Sequence, residues 1–117
     1  DTGFDLPNGA TRSPDAAWVA KERFAGIPPE RLERFLPLCP DFVIEIRSAS
    51  DRLKDQVAKM SEYIDNGAKL AWLIDPVMHQ VHIYRPGQAP VILDRPASLS
   101  ADPELPGFTL DLAPIWE

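Results

Sequence analysis

The chain has 117 residues, 44% hydrophobic and 26% charged, which suits one globular domain with a modest core. Its formal net charge of −6 opposes the sequence-independent pull toward phosphate, so a nucleic-acid role needs a local or additional basic patch, or a divalent cation between acids and phosphate. No apolar run approaches the roughly 20 residues that span a bilayer and no signal peptide opens the chain, so no membrane partner and a cytoplasmic location are expected.

The first fourteen residues carry the turn signals Gly3, Pro7-Asn8-Gly9 and Ser13-Pro14 and predict loop around a short hairpin. A short strand is expected from Asp15 to Ala20. Pro28-Pro29-Glu30 starts a helix that runs through Phe35 and stops at Pro37. Asp41 to Ser48 predicts a second strand. Ser48 to Asp51 supplies capping residues for the longest helix, Arg52 to Asn66, closed by Gly67. Strands over Lys69–Asp75, Gln80–Arg85 and Ala89–Asp94 form a meander, Pro96 to Pro106 is loop, and Gly107–Leu112 is a last strand.

This order predicts an α/β (α+β) domain with a mixed sheet, in which the strand–long helix–strand segment forms a right-handed crossover between parallel strands. The chain opens on Asp1 and reaches a candidate site acid by Asp15. That predicts a single domain over residues 1–117 lacking N-terminal elements of a longer protein. The lone cysteine, Cys39, has no partner at zinc-ligand spacing and reads as a buried small hydrophobe.

In the strand Pro40-Asp41-Phe42-Val43-Ile44-Glu45-Ile46-Arg47-Ser48, alternation puts Asp41, Val43, Glu45 and Arg47 on one face and Phe42, Ile44 and Ile46 on the other. Charged residues run against strand propensity, and such conflicts concentrate at functional sites. In the long helix, Val57, Met60 and Ile64 lie within roughly 40° of Leu53 and predict the core stripe. Arg52, Gln56, Lys59 and Tyr63 fall between about 240° and 300°, along the border of that face, where long side chains rest their stems on the core. Because this helix follows the Glu45 strand directly, Lys59 can reach the carboxylates.

Phosphodiester hydrolysis with a metal ion needs two or more carboxylates for the ion and a cation that orients water or offsets developing charge. Asp15, Glu45 and Lys59 match those parts. Asp41 and Arg47 could extend the set, with Arg52 and Tyr63 touching phosphate or bracing the acids. His79 and His82 are expected on opposite faces at the surface, Trp18 and Trp72 in the core, and Trp116 against a partner.

Pro14-Asp15, the Glu45 strand closing on Ser48, Asp51-Arg52, Lys59-Met60-Ser61-Glu62-Tyr63, Gly67 and Ala71-Trp72-Leu73-Ile74-Asp75-Pro76 closely resemble the Uma-two (Uma2) family of the PD-(D/E)XK, restriction-endonuclease-like superfamily. The resemblance spans nearly the whole chain. It implies a restriction-endonuclease-like mixed sheet, Mg²⁺-dependent nuclease chemistry with Mn²⁺ as a substitute ion, DNA as substrate, and a homodimer. Asp15 matches the first motif aspartate, Glu45 the second acid, and the backbone carbonyl of Ile46 a third metal ligand. The superfamily's usual lysine position holds Arg47 here; in this family that position is commonly apolar and a helix lysine, matching Lys59, takes over.

Arg47 reads equally as a phosphate contact or as the ion-pair partner of Asp41, and a guanidinium is a poor general base. Asp41 reads in turn as a site acid or as the residue that opens the strand. The expected activity is Mg²⁺-dependent endonucleolytic hydrolysis of DNA. The alternative is a non-cleaving nuclease-like module, binding DNA or protein within a mobile element or defence system.

Overall fold

The computed structural model describes residues 3–117, so residues 1 and 2 of the expected N-terminal loop lie outside it. A small hairpin, β1 (Phe4–Asp5) and β2 (Thr11–Arg12), precedes β3 (Ala16–Trp18). A 3₁₀ turn over Lys21–Phe24 and the short helix α1 (Pro29–Leu32) lead into β4 (Phe42–Ile46). The long helix α2 (Leu53–Asp65) connects β4 to β5 (Leu70–Asp75), and β6 (Gln80–Tyr84) and β7 (Val91–Asp94) complete the meander. A second hairpin, β8 (Ser98–Ser100) with β9 (Thr109–Asp111), and a terminal turn of helix, α3 (Ala113–Trp116), close the chain.

Five strands form one mixed sheet in the order β3-β4-β5-β6-β7. β4 and β5 run parallel, with Ile44 opposite Trp72 and Glu45 opposite Leu73; the other neighbours are antiparallel. The α2 crossover demands that arrangement, since a two-residue turn cannot join parallel strands. Helix α2 stops where expected: the Ala68 N–H returns to the Tyr63 carbonyl and Gly67 adopts a left-handed φ of 118° that a side chain would resist.

Both faces of the sheet are covered where β4 crosses it, burying Phe42 to Glu45 and leaving only Ile46 at the end of the strand exposed. Val43 packs with Ala71, Leu73, Met60 and Tyr63 beneath α2. Phe42, Ile44, Trp72 and Ile74 face β8, β9 and the C-terminal turn, where the rings of Trp18, Phe42, Trp72 and Phe108 cluster in stacked, tilted and edge-on pairs at centroid separations of 4.8 to 6.1 Å. Each fully buried large apolar side chain of this kind contributes about 1.5–3 kcal/mol.

Several expectations are corrected. The buried line of α2 is Gln56, Met60 and Tyr63, while Leu53, Val57 and Ile64 are half-buried, so the helix is rotated toward the stripe expected at its border. Helix α1 ends at Leu32 rather than Phe35. Strand β8 lies within the expected loop over Pro96–Pro106, a segment whose polarity concealed a hairpin pairing Ser98–Ser100 with distant Thr109–Asp111. His82 is buried rather than exposed, its Nδ1 lying 3.4 Å from the Tyr84 hydroxyl. Trp116 is used within the chain: its indole N–H donates to the Pro96 carbonyl at 2.8 Å and its ring meets His79 edge-on. Among the described residues no helix is long and apolar enough to cross a membrane.

Candidate active site

Strand β4 carries Glu45 one residue before its end, where the chain leaves the sheet and turns toward α2. The antiparallel register with β3 pairs Ala16 with Ile44 and Ala17 with Val43. Continued by one residue, it sets Asp15 directly across from Glu45 on the α2-covered face. The Asp15 carboxylate is held there by the Ile46 backbone N–H, which donates to Oδ2 at 2.7 Å. The next position in register is Pro14, which has no N–H to offer the Ile46 carbonyl.

Two acids side by side on one sheet face repel each other, a cost that a purely structural pair would avoid. Glu45 is only 5% exposed. Two groups on α2, one turn apart, converge on one of its oxygens: the Tyr63 hydroxyl donates to Oε2 at 2.9 Å, and Lys59 Nζ lies 3.7 Å from the same atom. Burial raises the Glu45 pKa above its ordinary value; the Lys59 charge and the Tyr63 hydrogen bond oppose this, while Asp15 adds to it through its charge and a carboxyl–carboxyl contact. Tyr63 is itself held neutral, its pKa raised by burial and by Glu45.

Asp15, immediately before β3, and Lys59, from α2, thus both flank Glu45 at the end of β4. Glu45 Oε1 and Asp15 Oδ1 accept no hydrogen bond from the described residues, so each acid keeps one oxygen free for a cation. No third His, Cys, Asp or Glu joins them among the described residues. That donor set suits Mg²⁺, which prefers oxygen ligands and is bound through one or two carboxylates while retaining waters and substrate phosphate.

The remaining candidates are elsewhere. Asp41 sits at the opposite end of β4, where it accepts the Ala20 N–H at 2.7 Å and pairs with Arg23 at 3.0 Å and more loosely with Lys69 at 3.9 Å. Arg47 does not meet Asp41. Its guanidinium binds Asp75 at 3.0 Å and the Asp51 carbonyl at 3.2 Å, and Asp75 is fully buried, its other oxygen accepting the N–H groups of Val77 and Met78. Arg52 is exposed at the start of α2 and makes no ion pair with the acids. Gln56 lies buried one turn before Met60, on the flank of α2 that carries Lys59.

Arg12 escaped sequence reasoning. It lies in β2, and its Nε donates to Glu62 Oε1 at 2.6 Å; that bond raises its pKa, and the nearby Glu45 charge adds to the rise. Its sequence signal was its place three residues before Asp15, between the turn signals Pro7-Asn8-Gly9 and Ser13-Pro14.

A family model for Uma2, described as "Putative restriction endonuclease", matches residues 1–113. The crystal structure of "a putative nuclease belonging to DUF820" from Anabaena variabilis ATCC 29413 is similar in fold, with a TM-score of 0.78 at 20% identity, covering 97% of this chain. The chain spans 65% of the length of that protein. No curated protein sequence matches it.

Proposed function

Because this chain belongs to the Uma2 family of restriction-endonuclease-like nucleases, we propose that it is a divalent-metal-dependent endonuclease that hydrolyses DNA phosphodiester bonds. The observation that carries this reading is the convergence of Asp15, Glu45 and Lys59 at the end of β4, with one oxygen of each acid left free and Lys59 3.7 Å from Glu45 Oε2. Asp15 and Glu45 would hold the ion, Mg²⁺ or Mn²⁺ in its place, and the Ile46 carbonyl, facing a proline across the register, is a ready third ligand. A bound ion supplies Lewis-acid polarisation of the phosphoryl oxygen and a more acidic water.

The chain's own residues do the rest. Lys59 offers ammonium protons beside the acids, where they orient an attacking water and offset charge building on phosphate. Tyr63, held neutral, keeps Glu45 turned toward the site by a single hydrogen bond. Arg47, engaged with Asp75, has no part in the reaction. The convergence favours cleavage over a non-cleaving module. A homodimer, placing two such sites on the two DNA strands, completes the proposal.

The test is Mg²⁺- or Mn²⁺-dependent cleavage of plasmid DNA by the full chain beside Glu45→Ala and Lys59→Ala. Each substitution should lower the rate by about 10²-fold or more. Equal cleavage by all three proteins would overturn the assignment.

A further inference from the structure

The geometry points to Arg12 as a phosphate-binding residue that seats the nucleic-acid backbone beside the acids. The inference rests on the proposed nuclease reading and adds a binding surface to it. Arg12, Asp55, Gln56, Ala58, Lys59 and Glu62 line one open concavity of about 310 Å³ on the flank of α2. Lys59 lines this concavity and lies 3.7 Å from Glu45 Oε2, so the concavity borders the acid cluster.

Glu62 aims the arginine. Its Oε1 takes the Arg12 Nε at 2.6 Å and its Oε2 takes the Asn8 amide at 3.2 Å, so the Glu62 carboxylate is occupied on both oxygens. The two terminal guanidinium nitrogens of Arg12 donate to no other described residue, and the side chain remains 36% exposed. A guanidinium fixed through Nε with its outer fork free is arranged to take two oxygens of one phosphate. In a chain of net charge −6, Arg12 and Lys59 place two cations around one concavity, leaving Asp55 as its one acid without an ion pair among the described residues.

Arg12 reaches this position through folding of the N-terminal segment. Strand β2 pairs Arg12 with Phe4, and Phe4 is anchored in the core beneath α2. The Asn8 backbone N–H also binds the Asn66 side chain at 2.9 Å, fastening the hairpin turn to the far end of the helix. The arginine is therefore carried on a clamped hairpin, which lowers the ordering cost of binding.

Binding of a fluorescein-labelled duplex oligonucleotide, measured by anisotropy in EDTA over a series of salt concentrations, tests this without requiring cleavage. Arg12→Gln should weaken binding about tenfold and reduce the slope of log K against log salt by about one, as expected for one lost phosphate contact. Arg12→Lys should restore the slope and only part of the affinity, because it keeps the charge and loses the fork. An unchanged slope and affinity in Arg12→Gln, with the wild type binding normally, overturns the role of Arg12 alone. Absence of binding by the wild type overturns the DNA reading together with it, and a wild type that binds without cleaving removes only the catalytic assignment.

Discussion

The Tyr63 hydroxyl donates to Glu45 Oε2 at 2.9 Å, joining the last turn of α2 to the end of the neighbouring strand β4 inside the core. One hydrogen bond thus links a packing residue to a candidate metal ligand. Removing it tests whether the site depends on how α2 is seated.

Tyr63→Phe keeps the ring in the core and deletes the donor. Leaving a buried carboxylate short of a partner costs about 1–3 kcal/mol, which denaturant unfolding would measure. Because the bond lowers the Glu45 pKa, its loss should raise that pKa further. Cleavage should then decline at neutral pH and recover as pH rises.

Without metal, ionised Glu45 burdens the fold. Its folded pKa lies above the ordinary 4.5, so the native state binds more protons than the unfolded chain as pH climbs through that window, and stability falls. Glu45→Gln should therefore melt above the wild type at pH 7 in EDTA, and the difference should close below about pH 4. Added Mg²⁺ or Mn²⁺ should raise the melting temperature of the wild type, by about 2.7 kcal/mol of stability at a hundredfold excess over Kd, and leave the Gln variant unmoved.

Arg47→Ala removes the cation paired with fully buried Asp75. Breaking such a pair by deleting one partner typically costs about 3–5 kcal/mol. The stability loss should appear in urea unfolding while metal-induced thermal stabilisation persists. Loss of metal response at unchanged stability would place Arg47 in the site instead.

Asp41→Ala should cost about 1 kcal/mol, through the lost Ala20 N–H bond and the part-buried Arg23 pair, and leave metal response intact. Asp15→Ala should abolish metal response. The two substitutions distinguish the aspartates that each follow a proline in this chain.

Cys39 is 2% exposed and burial pushes its thiol up to about 11. At pH 8 the native protein should react with a thiol reagent only at the rate at which it opens, and immediately in denaturant. Fast stoichiometric labelling of the native protein would contradict the placement of Cys39 under α2.

Much of the fold was legible because its signals are local. Alternation along Asp41–Ser48, the capping residues before α2, Gly67 after it and the apolar run at Leu70 each mark an element by its own residues, and a strand–helix–strand order leaves few topologies. Motif spacing likewise selected Asp15, Glu45 and Lys59. Segments whose pairing partner is remote were not legible. Strand β8 exists because Leu99 meets Leu110 across the hairpin, and nothing in Ser98–Ser100 announces that.

The sequence by itself nominated side chains for chemistry, among them two acids, a helix lysine and a tyrosine one turn beyond it. Only the tertiary structure decided how they are used. The ladder register set Asp15 against Glu45, and the rotation of α2 buried Tyr63 over that pair. The packing of β5 gave Arg47 to Asp75, and the N-terminal hairpin brought Arg12 to Glu62. Local periodicity fixes which face of its own element a residue occupies. Which remote group it meets depends on how elements dock, and docking is driven by the summed burial of apolar surface that no short motif contains.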